Sequence, residues 1–188
     1  ISTRGGVKPL SFKDVVLKGL AGDGGLFIPD TWPTQPISWF KELEGKSYVD
    51  VAFATFKLFV GDDIEDKMLH NLLEEAYGTF GHEDVVPLKK LKDNLYILEL
   101  FHGPTLAFKD VALQILARLM EHFLNENREK VTVFGATSGD TGAAAVSALQ
   151  NRAGIEAFIF HPKGRISEVQ RRQMTTCLAP NIHNIAIE

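Results

Sequence analysis

Apolar and polar positions alternate in two different rhythms along the chain. Through about residue 85 the apolar residues recur at helical spacing. Phe12, Val15, Val16 and Leu20 share one face behind the capping pattern SFKD at 11–14, and residues 51–60 and 64–77 form two further amphipathic stretches, the second introduced by Asp62 and Asp63. Between them, DGG at 23–25 predicts a turn, Leu26, Phe27 and Ile28 a short strand, and the proline-bearing stretch 31–36 a loop. From residue 94 onward strands and helices take turns. Strands are predicted at 94–101, 131–134, 155–160 and 182–187, and helices at 111–124, 142–151 and 167–176. The 111–124 helix is expected to turn Ile115, Leu116, Leu119, Met120 and Phe123 inward.

Such alternation predicts an α/β chain: a small, mostly helical region at 1–85, then part of a parallel sheet at 86–188, covered by helices on both faces. The first region offers a packing or lid module and no catalytic group. In parallel sheets ligands collect where strands hand over to helices, so chemistry is sought in those loops.

Composition narrows the functions. With 45% apolar and 23% charged residues among 188, a water-exposed core-forming domain is affordable without metal or disulfide. Twenty basic against twenty-four acidic residues leave a net charge of −4, which argues against a nucleic-acid partner. No apolar run reaches about 18 residues, so no membrane partner is expected. Cys177 is alone, which excludes an internal disulfide and fits a reducing, cytoplasmic setting. The chain opens on Ile1 and stops directly after a strand, and we therefore expect a fragment of a longer parent.

Three loops hold candidate chemistry. The first, 102–110, ends in Lys109 just before a helix, where the dipole disfavours an ammonium and Phe101, Leu106 and Phe108 would desolvate it; both effects favour a nucleophilic amine. A solvated lysine near a cap is the plain alternative. Asp110 reads as an ordinary N-cap, and His102 as either a proton donor or a structural hydrogen-bonding residue. The second loop, GATSGDTG at 135–142, gathers glycines and hydroxyls at a helix start and so suits an anion, against the alternative of a capped tight turn. Its spacing fails the P-loop, the dinucleotide fingerprint and the nucleophile elbow. The third, 161–167, carries Lys163 and Arg165, open between anion binding and simple solvent exposure; Glu168, Arg171 and Arg172 after it read as a solvated helix face.

ELFHGPTLAFKD at 99–110 and GATSGDTG at 135–142 together resemble the signature loops of threonine synthases. STRG at 2–5, GDGGL at 22–26 and EVQRRQMTT at 168–176 extend the resemblance to the bacterial and fungal type, along essentially the whole chain. That family belongs to the fold-type II enzymes of pyridoxal 5'-phosphate (PLP). The resemblance implies that Lys109 carries PLP covalently and later shuttles protons, with Asp140 near the cofactor. It implies that Thr137, Ser138, Gly139 and Thr141 bind the substrate carboxylate. Lys163 and Arg165 are candidates for the substrate's anionic groups. The implied reaction turns O-phospho-L-homoserine and water into L-threonine and phosphate. Two alternatives remain: a threonine-synthase-like phospho-lyase, and a non-catalytic interaction protein on the same fold. The family's phosphate-cradling glycine loop lies in its second half, so these 188 residues alone are expected to bind PLP weakly and to be inactive.

Overall fold

A computed structural model describes residues 1–137 and 139–188, and the chain divides into two compact units, Ile1–Glu74 and Glu75–Glu188. In the first unit the predicted strand at 26–28 finds its partner at the start of the chain. Thr3 N–H donates to Leu26 O, Ile28 N–H to Ile1 O, and Ser2 bridges Phe27 antiparallel. Four helices follow: α1 (Phe12–Lys18), α2 (Ile37–Glu42), α3 (Tyr48–Val60) and α4 (Asp66–Tyr77), the last running on into the second unit. Ser11 caps α1 by accepting the Asp14 N–H. α3 begins at Tyr48, ahead of the expected 51–60, because Ser47 and Asp50 form a reciprocal capping box there. Asp63 does not start α4; its carboxylate accepts the Lys13 N–H at 2.8 Å instead. The short α2 after Pro36 went unread, its six residues being too few to show a helical period.

In the second unit the largest departure from expectation is at 94–101. Residues Leu88–Lys92 (β1) and Leu95–Leu98 (β2) form an antiparallel hairpin, a two-stranded sheet of their own. Asn94 sits at φ 60°, the left-handed conformation that Asn tolerates better than most residues and that a tight hairpin turn requires. The lysine loop therefore leaves a hairpin and does not leave a strand of the parallel sheet. It enters α5 (Asp110–Asn127), the longest helix described.

The parallel sheet is β3 (Val131–Ala136), β4 (Ile155–Pro162) and β5 (Ile182–Ile187), in that order, linked by α6 (Asp140–Leu149) and α7 (Glu168–Thr175). Val131 lies opposite Ile155 and Ala157 opposite Ile182, so side chains on the three strands fall into common rows. One face is core: Ile155, Ala157 and Ile159 pack with Ala143, Ala144 and Val146 of the Ala-rich α6, whose small side chains allow close approach, while Ile115, Leu119 and Phe123 of α5 are buried. Leu116, expected inside, faces outward. The expected cover on both faces is also corrected. On the second face Phe134 stacks against Phe158 and Phe160, and Phe158 against His183, yet Phe134 remains 70% exposed. The parallel strands thus read as apolar on both sides while, among the described residues, only one side is covered. No helix among the described residues is long and apolar enough to cross a membrane.

Candidate active site

The lysine loop is built around a buried carboxylate. Asp110 is wholly buried and accepts two bonds from Thr105, at 2.8 Å from its N–H and at 2.8 Å from its Oγ1. Asp110, expected as the N-cap, is instead the first helical residue, and Lys109, with φ −64° and ψ −22°, occupies the cap position. The Asp110 side chain turns back on the loop and ties it down. This requires Gly103, because a Cβ there would lie 2.5 Å from the Asp110 Cβ. Leu106 adopts φ 62° and so reverses the chain between these two points. The result is a short, internally bonded loop that delivers Lys109 to a fixed place at the start of an 18-residue helix.

Lys109 Nζ donates to Asp140 Oδ2 at 2.8 Å and lies 4.3 Å from the Phe108 ring centroid. Both contacts stabilise positive charge. The environment therefore differs from the apolar one expected, since Phe101, Leu106 and Phe108 are each more than half exposed and do not enclose the amine. Hydrogen bonding from Lys109, then the charge of Lys109, with the Thr141 N–H, holds the Asp140 carboxyl below its ordinary value. Two loops separated by thirty-one residues in sequence thus meet through one ion pair.

The second loop is largely closed on itself. Thr137 Oγ1 accepts the N–H groups of Gly139, at 3.2 Å, and Gly142, at 2.9 Å, while Thr141 N–H donates to Asp140 Oδ1 at 3.0 Å. Donors expected to meet an external anion are thus occupied by groups within the loop, and the Asp140 carboxylate takes the anion's place on both Lys109 and Thr141. Ser138 lies outside the described residues. Gly139 has φ 147°, and a Cβ on it would fall 2.2 Å from Gln170 Oε1, so the α7 amide is laid directly on this glycine.

The basic loop is not drawn into this pairing. Lys163 and Arg165 are exposed, and Lys163 Nζ binds Glu188 Oε1 at 3.2 Å. His102 Nε2 pairs with Glu99 Oε2 at 2.8 Å, half-buried, with the His82 ring 5.0 Å away. Glu168 binds Arg171 and Arg172 on the outer side of α7, as expected for a solvated face. The opposite side of α7 went unread: Gln170, Gln173 and Met174 touch the two loops, and their i, i+3, i+4 spacing opposite the charged residues was the available signal.

Comparison with protein families matches residues 1–77 to the threonine synthase N terminus and residues 80–186 to pyridoxal-phosphate dependent enzymes. The chain belongs to the pyridoxal-phosphate-dependent enzymes. Within that family it matches the threonine synthases. It is 51% identical to the threonine synthase of Pseudomonas aeruginosa, covering all of this chain and 40% of that protein. Identity to the Schizosaccharomyces pombe threonine synthase is 46%, covering all of this chain and 38% of that one. The crystal structure of PLP-bound threonine synthase from Brucella melitensis superposes with a TM-score of 0.96 at 48% identity, over the whole of this chain and 40% of that one. The chain thus spans about 40% of the length of the relatives it matches. Among the described residues, Lys109 stands where the chain's two glycine-bearing loops meet.

Proposed function

We propose that this chain is the part of a threonine synthase that supplies the reactive lysine, converting O-phospho-L-homoserine and water to L-threonine and phosphate. The observation that carries this reading is the Lys109–Asp140 pair, 2.8 Å long, at the mouth of two helices. The residues fit a pyridoxal phosphate. Lys109 offers a primary amine with about a quarter of its side chain exposed, enough for an aldehyde to reach. Among the described residues its hydrogen-bond partner is the Asp140 carboxylate, which a ligand can replace. Lys109 would hold the cofactor, and Asp140 would lie beside it. Bound there, the cofactor supplies an electron sink for carbanions next to it.

The chain's own side chains do the rest. Asp140 orients the Lys109 amine, and the free amine would move protons at the substrate carbons. Thr137, Ser138, Gly139 and Thr141 would receive the substrate carboxylate, which would take over the Thr141 N–H from Asp140; among the described residues no acceptor holds the Thr137 hydroxyl hydrogen while its oxygen accepts from Gly139 and Gly142. Lys163 and Arg165 would attract the phosphate. We place the domain boundary near residue 85, which keeps α4 whole in the first domain. A cytoplasmic setting is supported by the solitary Cys177.

The test uses the full-length protein incubated with pyridoxal phosphate and borohydride, then digested for mass spectrometry. The expected result is a phosphopyridoxyl group on Lys109 and, without borohydride, threonine and phosphate in equal amounts from O-phospho-L-homoserine. Modification elsewhere would overturn the lysine assignment. A 2-keto acid in place of threonine would make the protein a phospho-lyase.

A further inference from the structure

We propose that α7 is the positioning element of this site, with Gln173 setting the lysine loop and Gln170 the carboxylate-binding loop. The inference rests on the function proposed above and deepens it. Gln173 Nε2 donates to the Thr105 carbonyl at 3.2 Å, across sixty-eight residues of sequence. Thr105 in turn spends its N–H and hydroxyl on Asp110, which adjoins Lys109. Three residues earlier on α7, the Gln170 amide lies over Gly139, where even a methyl group would meet it at 2.2 Å. Met174, fully buried, sits where a Cβ on Gly142 would be 2.5 Å from its sulfur. These three side chains therefore fix the middle of one loop, at Thr105, and two glycines of the other, Gly139 and Gly142.

The contacts close a circuit. Gln173 leads through Thr105 and Asp110 to Lys109; Lys109 pairs with Asp140; and Asp140 follows the glycine against which Gln170 is seated. The circuit also reaches the third loop, because Ser167, its last residue, accepts the Gln170 N–H and donates its hydroxyl to Gln170 Oε1 at 3.0 Å. All three candidate loops are thus referred to one short helix. Gln170 and Gln173 are positioning residues, not catalytic ones, since each acts through backbone that another residue presents. Chemistry fixes the requirement at 173: its partner is a carbonyl, so a donor is needed, and an ionised glutamate of the same shape has none.

The experiment compares Gln173→Glu, Gln173→Leu, Gln170→Ala and the outer-face control Arg172→Ala in the full-length protein. Three quantities are read: borohydride-trapped modification of Lys109 by pyridoxal phosphate, kcat and KM for O-phospho-L-homoserine, and the thermal midpoint. Gln173→Glu should slow trapping about tenfold and lower kcat, because the lysine loop loses its anchor. KM should stay within about twofold. Gln170→Ala should instead raise KM about tenfold and leave trapping near wild type. Arg172→Ala should match wild type throughout. Gln173→Leu, which carries no charge, should repeat the Gln173→Glu result and stands in for it if that variant does not fold. Wild-type trapping in both Gln173 variants would overturn the proposal. So would a common fall in kcat, rise in KM and drop in midpoint for Gln170 and Gln173 alike, since that is what a merely loosened helix gives. If wild type itself shows neither trapping at Lys109 nor threonine formation, the functional reading fails, and that outcome is distinct from either of these.

Discussion

An aspartate organises a glycine-rich turn in each unit, and the two do so with different partners. In the first unit Asp23 accepts from Ser2 Oγ at 2.8 Å, Gly6 N–H at 2.8 Å and Gly25 N–H at 2.9 Å, all neutral donors that pin the start of the chain to the 23–25 turn. In the second unit Asp140 accepts an ammonium, Lys109, and one backbone N–H. Both carboxyls are held below their ordinary value, Asp23 chiefly by the Gly25 N–H and Asp140 chiefly by Lys109. A lowered carboxyl is therefore no mark of chemistry by itself. What separates the two is the partner. Asp23 is bonded to groups that can only hold structure, whereas Asp140 is bonded to an amine that can react once released.

Removing that amine is the strongest way to test the contrast. Lys109→Ala in the full-length protein should lower threonine formation by roughly a thousandfold or more, as loss of a covalent catalytic group does. The thermal midpoint should hardly move, because the lost ion pair is part-exposed. Residual turnover near wild type would remove Lys109 from the mechanism and leave Asp140 as structural as Asp23.

Next in size is Asp110, the buried carboxylate under the lysine loop. Asp110→Ala strands the part-buried Thr105 N–H and hydroxyl beside the emptied position, for a loss of roughly 1–2 kcal/mol in urea denaturation. Slower trapping of Lys109 should accompany it. Loss of stability with unaltered trapping would mean that the loop holds Lys109 without Asp110.

These two residues also show how far the sequence could be read. Lys109 stands out because a lysine before a helix is electrostatically awkward, and the apolar runs at 131–134 and 155–160 stand out between helical stretches; the observed strands each extend two residues further, to Ala136 and Pro162. Asp110 was placed in the right loop with the wrong task, since an acidic residue at a helix start looks the same whether it caps the helix or folds back. The hairpin was missed because LKKLK, its first strand, is exposed on every residue and carries three lysines, so no buried face imprints an alternation on it. The Gln173 bond to Thr105 spans sixty-eight residues and depends on the packing of α7, which no local pattern encodes.

Asp23 should have a smaller effect, visible mainly through pH. Its folded carboxyl is lowered from 3.8, so its contribution is present above 3.8 and is lost as pH falls through the folded value. Wild type should then show faster hydrogen exchange, after correction for intrinsic rates, in peptides from the first 28 residues as pH drops below about 4. Asp23→Asn should flatten that dependence. An unchanged pH profile in the variant would assign the turn's stability to its other hydrogen bonds.

The smallest effect belongs to a carboxyl pushed far below its ordinary value. Glu168, on the outer face of α7, is bonded first by Arg171 and then by Arg172 and is held down to about 2. The shift places its contribution above its ordinary 4.5, to be lost as pH falls toward about 2. All three side chains are exposed, and water and salt share the charges with the arginines. Glu168→Gln should therefore leave the thermal midpoint at pH 7 unchanged at about 0.15 M salt. At low salt a small difference should emerge above pH 4.5 and vanish near pH 2. A large loss at physiological salt would show that the outer face of α7 helps seat Gln170 and Gln173, extending the positioning role from one side of the helix to both.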